Sequence, residues 1–246
     1  MPLAPPTPLL PPNEAARLRS LHAYGILPAP PERVFSELVA FSAQVFGLPM
    51  ALLALVDAEQ VVYKARWGVA GPRVSPRAET FCTLAVQQNQ TLILSDVAQA
   101  PPACLPAAAA ARAQAVGVRF YAGAPLRTPD EQPLGALCVL GYEPRSFSAE
   151  EQHLLEQVAV VLGLLIATRH ACLTNPQLGW ANWQLVEDQL AEEAHALHPF
   201  VQQLRPAVGG WLAVPPRGLA QLEARLRTMR ALLQDYPLTR TPSGSA

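Results

Sequence analysis

Lysine is nearly missing from this sequence of 246 residues. Lys64 stands alone against 17 arginines, and charged residues make up 15% of the chain. The formal net charge is −1. So even a balance leaves no electrostatic footprint for nucleic acid or an anionic membrane, and neither is expected as a partner. Cysteine is scarce too. Cys82, Cys104, Cys138 and Cys172 lie far apart with no CxxC pair, which argues against a disulfide framework and marks no metal site. Long apolar runs are also lacking. The most apolar, 158–167, has ten residues, where a membrane span needs about 20; it reads as a buried helix segment. Met1–Pro12 (MPLAPPTPLLPP) has neither the basic residues nor the continuous apolar core of a secretory signal and reads as a Pro-rich lead. The expected location is the cytoplasm, with thiols reduced.

Half the residues are hydrophobic, enough for a sizeable core. The stretch that organises the rest is 118–140, VRFYAGAPLRTPDEQPLGALCVL. Two apolar runs flank a polar segment with a Pro-Asp turn signal, the pattern of a β-hairpin. The arms do not alternate strictly, so both faces are expected to be covered. Gly123 and Gly135 leave room for a ligand or a helix to approach.

Before the hairpin, Asn13 is placed to cap a first short helix, and a second is expected from Glu32 to Phe46. Strands are expected at 50–57 and 60–67, a Pro-containing loop at 73–77, a helix at 79–89 and a brief strand at 91–94. Asp96 is placed to cap a helical or irregular segment running through the Ala-rich 107–115. After the hairpin, Ser148-Ala149-Glu150-Glu151 spells a capping box that opens a long helix to about Ala171. Hairpins mixed with segregated helices indicate an α+β fold.

Several phrases in this order resemble the GAF sensor domain of bacterial signalling proteins. They are NEAARLRSLHAYGIL at 13–27, MALLALVD at 50–57, YKARWGV at 63–69, ETFCTLAV at 79–86, the hairpin itself, and EPRSFSAEEQHLLEQVA at 143–159. The resemblance implies an antiparallel sheet of five or six strands. The first, second and last helices would cover one face, often as a dimer bundle, and shorter helices and loops would enclose a ligand pocket on the other. It divides the chain into a lead (1–12), a GAF-like domain (13–171) and a helical extension with a flexible end (172–246). Two features depart from the family pattern: Val62-Tyr63 stands where relatives carry Trp-Phe, and the pocket-lidding connection is unusually rich in Pro and Ala (APPACLPAAAAARAQAV).

The side chains expected to line the pocket are Tyr63, Arg66, Trp67, Phe81, Cys82, Asp96, Arg119 and Tyr121. Alternation along VRFYAG puts Val118 and Phe120 on one face and Arg119 and Tyr121 on the other. A buried Arg beside Tyr suits a carboxylate or phosphate; the plainer reading pairs Arg119 with Asp96 to hold a loop. For Cys82 the plain reading is a small buried hydrophobe. The functional one is the catalytic thiol of a GAF enzyme such as free methionine-R-sulfoxide reductase, whose resolving Cys comes from the preceding loop. No Cys lies between Arg66 and Thr80 to play that part. No bilin or haem phrase is present, so the cofactor stays unknown.

In the extension, a helix is expected over Asn182–His198, interrupted by Pro199. Gly209-Gly210 and Pro215-Pro216 mark a loop. Leu219, Leu222, Leu226, Met229 and Leu233 form a two-heptad seam, too short to stand alone. A helical hairpin results, packed on the long helix or on another subunit. His195-Ala196-Leu197-His198-Pro199 bears a faint likeness to a histidine phosphoacceptor helix, and Glu192/His195 has half of a di-iron spacing. No kinase or cyclase phrase accompanies either. The expectation is a non-catalytic sensory or regulatory homodimer that binds an unidentified small molecule and signals to a protein partner.

Overall fold

The computed structural model describes residues 10–11, 13–101, 105–204, 215–234 and 236. Cys104, the Gly209-Gly210 turn, most of the lead and the C-terminal end lie outside the described residues. Six strands form one sheet in the order β3-β2-β1-β6-β5-β4, with every neighbouring pair antiparallel. They are β1 (Met50–Val56), β2 (Gln60–Trp67), β3 (Val74–Pro76), β4 (Leu92–Leu94), β5 (Phe120–Arg127) and β6 (Pro133–Gly141). The helices are α1 (Glu14–Ala23), α2 (Arg33–Val45), α3 (Cys82–Gln88), α4 (Ala107–Ala115), α5 (Ala149–Thr174), α6 (Gly179–Leu204) and α7 (Pro216–Gln234).

The unbroken apolar runs of β1, β5 and β6 follow from burial on both faces. Along β1, Ala51, Leu53 and Leu55 enter one core with α2 and α5. The intervening Met50, Leu52, Ala54 and Val56 enter a second core beneath α3 and α4. A strand with a core on each side needs apolar residues at every position. The helix α5 has the length and composition of a membrane-crossing helix, yet 67% of its most apolar window is buried inside the protein. Its capping box is fully made: Glu151 N–H donates to Ser148 Oγ, and Ser148 N–H donates to Glu151 Oε2.

Several expectations are corrected. Residues 74–76 are a strand, not a loop, because Pro76 sits on the sheet edge where its missing N–H costs nothing. The helix expected at 79–89 starts only at Cys82, after a 3-10 turn at Arg77–Glu79. Asn13 occupies the N-cap position of α1 without a side-chain cap bond. The two hairpin glycines admit neither ligand nor helix. A Cβ on Gly123 would strike the Tyr121 ring, and one on Gly135 the Ala54 backbone in β1. The helix approaches instead at Gly163, where a Cβ would meet the Arg127 carbonyl. Finally, α6 begins before Asn182 and runs through Pro199 to Leu204. Fully buried Val201 on the far side of the proline shows why, since its packing offsets one missing backbone hydrogen bond.

Both C-terminal helices pack back on the domain. The α7 seam (Leu219, Leu222, Leu226, Met229, Leu233) is buried, mainly against α5, while α6 lies on α2 and α5. The docking of α6 centres on Glu32, at the N-cap of α2. Its Oε1 accepts from Arg169 Nε of α5 at 2.7 Å and from Trp183 Nε1 of α6 at 3.0 Å. Lys64 Nζ of β2 faces Oε2 at 3.5 Å and donates to the Ala29 and Pro30 carbonyls. Glu187 of α6 also takes the Val34 N–H at 2.9 Å, so one helix caps the start of another.

Removing Glu32 would leave Lys64 and Arg169 buried without their carboxylate. Glu32→Ala is expected to lower the unfolding free energy by about 3–5 kcal/mol. Trp183→Phe, which deletes one hydrogen bond and leaves a small cavity in a fully buried site, should cost about 1–3 kcal/mol. Urea denaturation checks both, and a Glu32→Ala change within about 0.5 kcal/mol of zero would contradict the assignment.

Candidate functional site

On the sheet face away from α2 and α5 lies a cavity of about 250 Å³. Met50 and Leu52 of β1, Tyr63 of β2, Tyr121 of β5 and Leu140 of β6 line the sheet side. Phe81 and Cys82 at the start of α3 form one wall, and Ala109, Arg112 and Ala113 of α4 cover it. The cavity exists because α4 turns alanines inward. Ala109 and Ala113 are buried, i and i+4 on one face, and their methyl groups do not fill the space to the sheet.

Polar groups sit at two ends. At the inner end are Cys82 and Tyr121; behind them, out of the lining, Cys138 Sγ lies 3.1 Å from Cys82 Sγ and 3.1 Å from the Tyr121 hydroxyl. Tyr63 donates to Ser75 Oγ at 3.2 Å; burial first, then the Cys82 thiol, pushes its hydroxyl up to about 12. The Cys138 hydrogen bond holds Cys82 below the ordinary thiol range against burial. Cys138 is pushed well up by burial and by Cys82 itself. One proton can be shared between the two sulfurs, so ionising the first makes ionising the second harder. At the mouth, Arg112 donates to Glu79 Oε2 at 2.7 Å, with both side chains more than a third exposed.

Of the eight residues expected in the pocket, Tyr63, Phe81, Cys82 and Tyr121 line the cavity. Four are elsewhere. Arg66 donates to the Gly71 and Pro72 carbonyls, and Trp67 is 39% exposed at the end of β2. Arg119 makes a two-pronged bond to Asp96, at 2.8 and 2.6 Å, and so holds a loop. The expected alternation fails at Arg119 because β5 begins only at Phe120. Val118 and Tyr121 both face the cavity, while Phe120 joins the helix-side core.

Cys138, Glu79 and Arg112 were not anticipated. A signal for Cys138 was present: in β6, Ala136 and Cys138 alternate with Leu137 and Val139, which belong to the opposite core. The sulfur that meets Cys82 therefore comes from the sheet and not from the loop before α3.

The family model for the GAF domain matches residues 30–166, more than half of the chain. The sequence is 31% identical over 144 residues to a cyclic di-GMP phosphodiesterase from Pseudomonas aeruginosa. The match covers 58% of this chain and spans only 24% of that enzyme. Similar solved structures include the GAF domain from Acinetobacter phosphoenolpyruvate-protein phosphotransferase, at 17% identity over 63% of this chain and 95% of that one, TM-score 0.47. Another is free methionine-R-sulfoxide reductase from Neisseria meningitidis in complex with its substrate, at 19% identity over 63% and 91%, TM-score 0.44.

The thiol pair makes a pH-dependent statement. In a background lacking Cys104 and Cys172, Cys138→Ala should move the alkylation of Cys82 by iodoacetamide to higher pH, because the hydrogen bond that favours the thiolate is gone. A pH–rate profile that does not move, or moves down, would refute the pairing.

Proposed function

We propose that this chain, which belongs to the GAF domain family, is a non-catalytic sensory or regulatory module that takes a small molecule between its sheet and α4. The observation that carries this reading is the partly open, mainly apolar cavity of about 250 Å³ with polar groups at both ends. Pockets for drug-sized ligands span about 300–1,000 Å³; this one is smaller, so the ligand is of amino-acid or single-ring size. Its inner end would meet the Tyr63 and Tyr121 hydroxyls, and an anionic outer end would take Arg112 from Glu79. That exchange is cheap, because an exposed ion pair contributes only about 0–1 kcal/mol.

A ligand that draws α4 toward the sheet favours one arrangement of β5 and β6, and the same strands carry α5 on their other face. The response is a population shift reaching the helices. Trp180 and Leu185 of α6 and Leu232 of α7 are exposed apolar side chains on that outer layer, suited to a signalling partner or to a second copy of the chain in a homodimer. The reading carries with it a cytoplasmic setting, where the free thiols stay reduced.

A second reading rests on the 3.1 Å between Cys82 and Cys138. A sulfoxide held in the cavity would be reduced to its thioether as the two thiols close to a disulfide. The oxygen leaves as water with both thiol protons, and an external dithiol restores the pair.

A thermal-shift screen of amino-acid-sized compounds, read beside native mass spectrometry, tests the main reading. A true ligand at a hundredfold excess over its Kd should raise Tm by about 5–10 °C and should fail to do so in Ala113→Trp, which fills the cavity from the lid. Equal stabilisation of that variant would contradict the site. Sulfoxide reduction lost in both Cys82→Ser and Cys138→Ser would favour the second reading.

A further inference from the structure

Away from the cavity, three donors converge where α6 crosses α2. Glu37 Oε2 of α2 lies 3.2 Å from His195 Nδ1 and 2.9 Å from His198 Nε2, the two histidines being one turn apart on α6. All three donor atoms fall within 4.8 Å of one another, and the imidazole centroids are 5.6 Å apart. Tetrahedral zinc with bonds of about 2.0–2.2 Å holds its ligand atoms roughly 3.4 Å apart. The two carboxylate–imidazole distances therefore need to open by only a few tenths of an ångström, with the two imidazole nitrogens no more than 4.8 Å apart.

The hydrogen-bond count at His198 points the same way. Its Nδ1 faces Gln44 Oε1 at 3.0 Å while its Nε2 faces the Glu37 carboxylate. A neutral imidazole has a single N–H, so two acceptors confront one proton. With Nδ1–H given to Gln44, the Nε2 lone pair is aimed at the carboxylate, the orientation a metal-ligating histidine takes when a carbonyl holds its other nitrogen. Arg33 is the neighbouring cation, 3.6 Å from Glu37 Oε1, and its guanidinium is engaged by Glu192 at 2.6 Å.

We propose that Glu37, His195 and His198 form a site for a divalent transition-metal ion of the zinc class, completed by water or an external ligand, that clamps α6 onto α2. Two imidazoles and one carboxylate favour Zn²⁺, Co²⁺, Ni²⁺ or Fe²⁺ over Mg²⁺ and Ca²⁺, which prefer all-oxygen shells. His195 is 60% exposed, so an ion has a way in, while His198 and Glu37 are mostly covered. The clamp makes the seating of the C-terminal helices dependent on metal, separately from any ligand in the cavity.

The full chain, stripped with a chelator, is titrated with Zn²⁺ by calorimetry and with Co²⁺ by visible absorption. The expected result is one equivalent bound, cobalt bands of a low-coordinate site, and a higher Tm with zinc. His195→Ala, an exposed change that leaves the fold intact, should weaken binding more than tenfold and abolish the Tm rise. His22→Ala, at the exposed His22–Asp57 pair, should change nothing. The proposal is overturned if no stoichiometric binding occurs at micromolar Zn²⁺, if His195→Ala binds as wild type does, or if His22→Ala weakens binding as much as His195→Ala.

Discussion

A buried carboxylate has to be answered by positive charge and hydrogen bonds, and in this protein that requirement falls on Glu32. Arg169 brings α5, Lys64 brings β2, Trp183 brings α6, and Glu32 itself begins α2. Four elements far apart in sequence are thereby placed relative to one another. The only lysine of the chain is used here. A compact ammonium group can meet two carbonyls and a carboxylate oxygen at once where a planar guanidinium would not. Burial pushes that ammonium down to about 8 even against the pull of Glu32.

Because this cluster seats α6, the extension belongs to the helical layer and not to a separate appendage. The face of α2 and α5 turned away from the sheet is covered by α6 and α7 of the same chain. On the opposite face Arg77, in the 3-10 turn before α3, is tied to Glu14 of α1 and to the Asp57 and Ala58 carbonyls, and α4 is the loosely held element. There α4 is held by two buried alanines and a half-exposed Arg112–Glu79 pair. One sheet thus separates the firmly keyed helical layer from the loosely held α4, and the mainly apolar cavity lined by Tyr63, Phe81 and Tyr121 lies under α4.

What the sequence made legible was what is encoded locally. The 118–140 hairpin, the Ser148 capping box and the seam of α7 each follow from spacing within a few residues, and each is present. The Asp96–Arg119 pair was legible as the plainer of two readings. What was hidden depends on contacts between distant segments. Cys138 meets Cys82 across 56 positions, and Glu37 meets His198 across 161. Pro199 shows the same limit from the other side: its local effect is to break a helix, and the buried Val201 beyond it overrides that effect. Half the expected pocket residues line the cavity for the same reason. Residue type suggested all eight, but the start of β5 and the loop contacts of Arg66 decided which could face inward.

Native-state hydrogen exchange of the intact chain tests this division of the molecule most directly. The account expects amides of α2, α5 and α6 to exchange slowly and as one cooperative unit, while α4 opens far more readily. If α6 instead exchanged independently of α2, at the rate of a detached helix, or if α4 were protected as strongly as α5, the two-sided organisation built around Glu32 would be wrong.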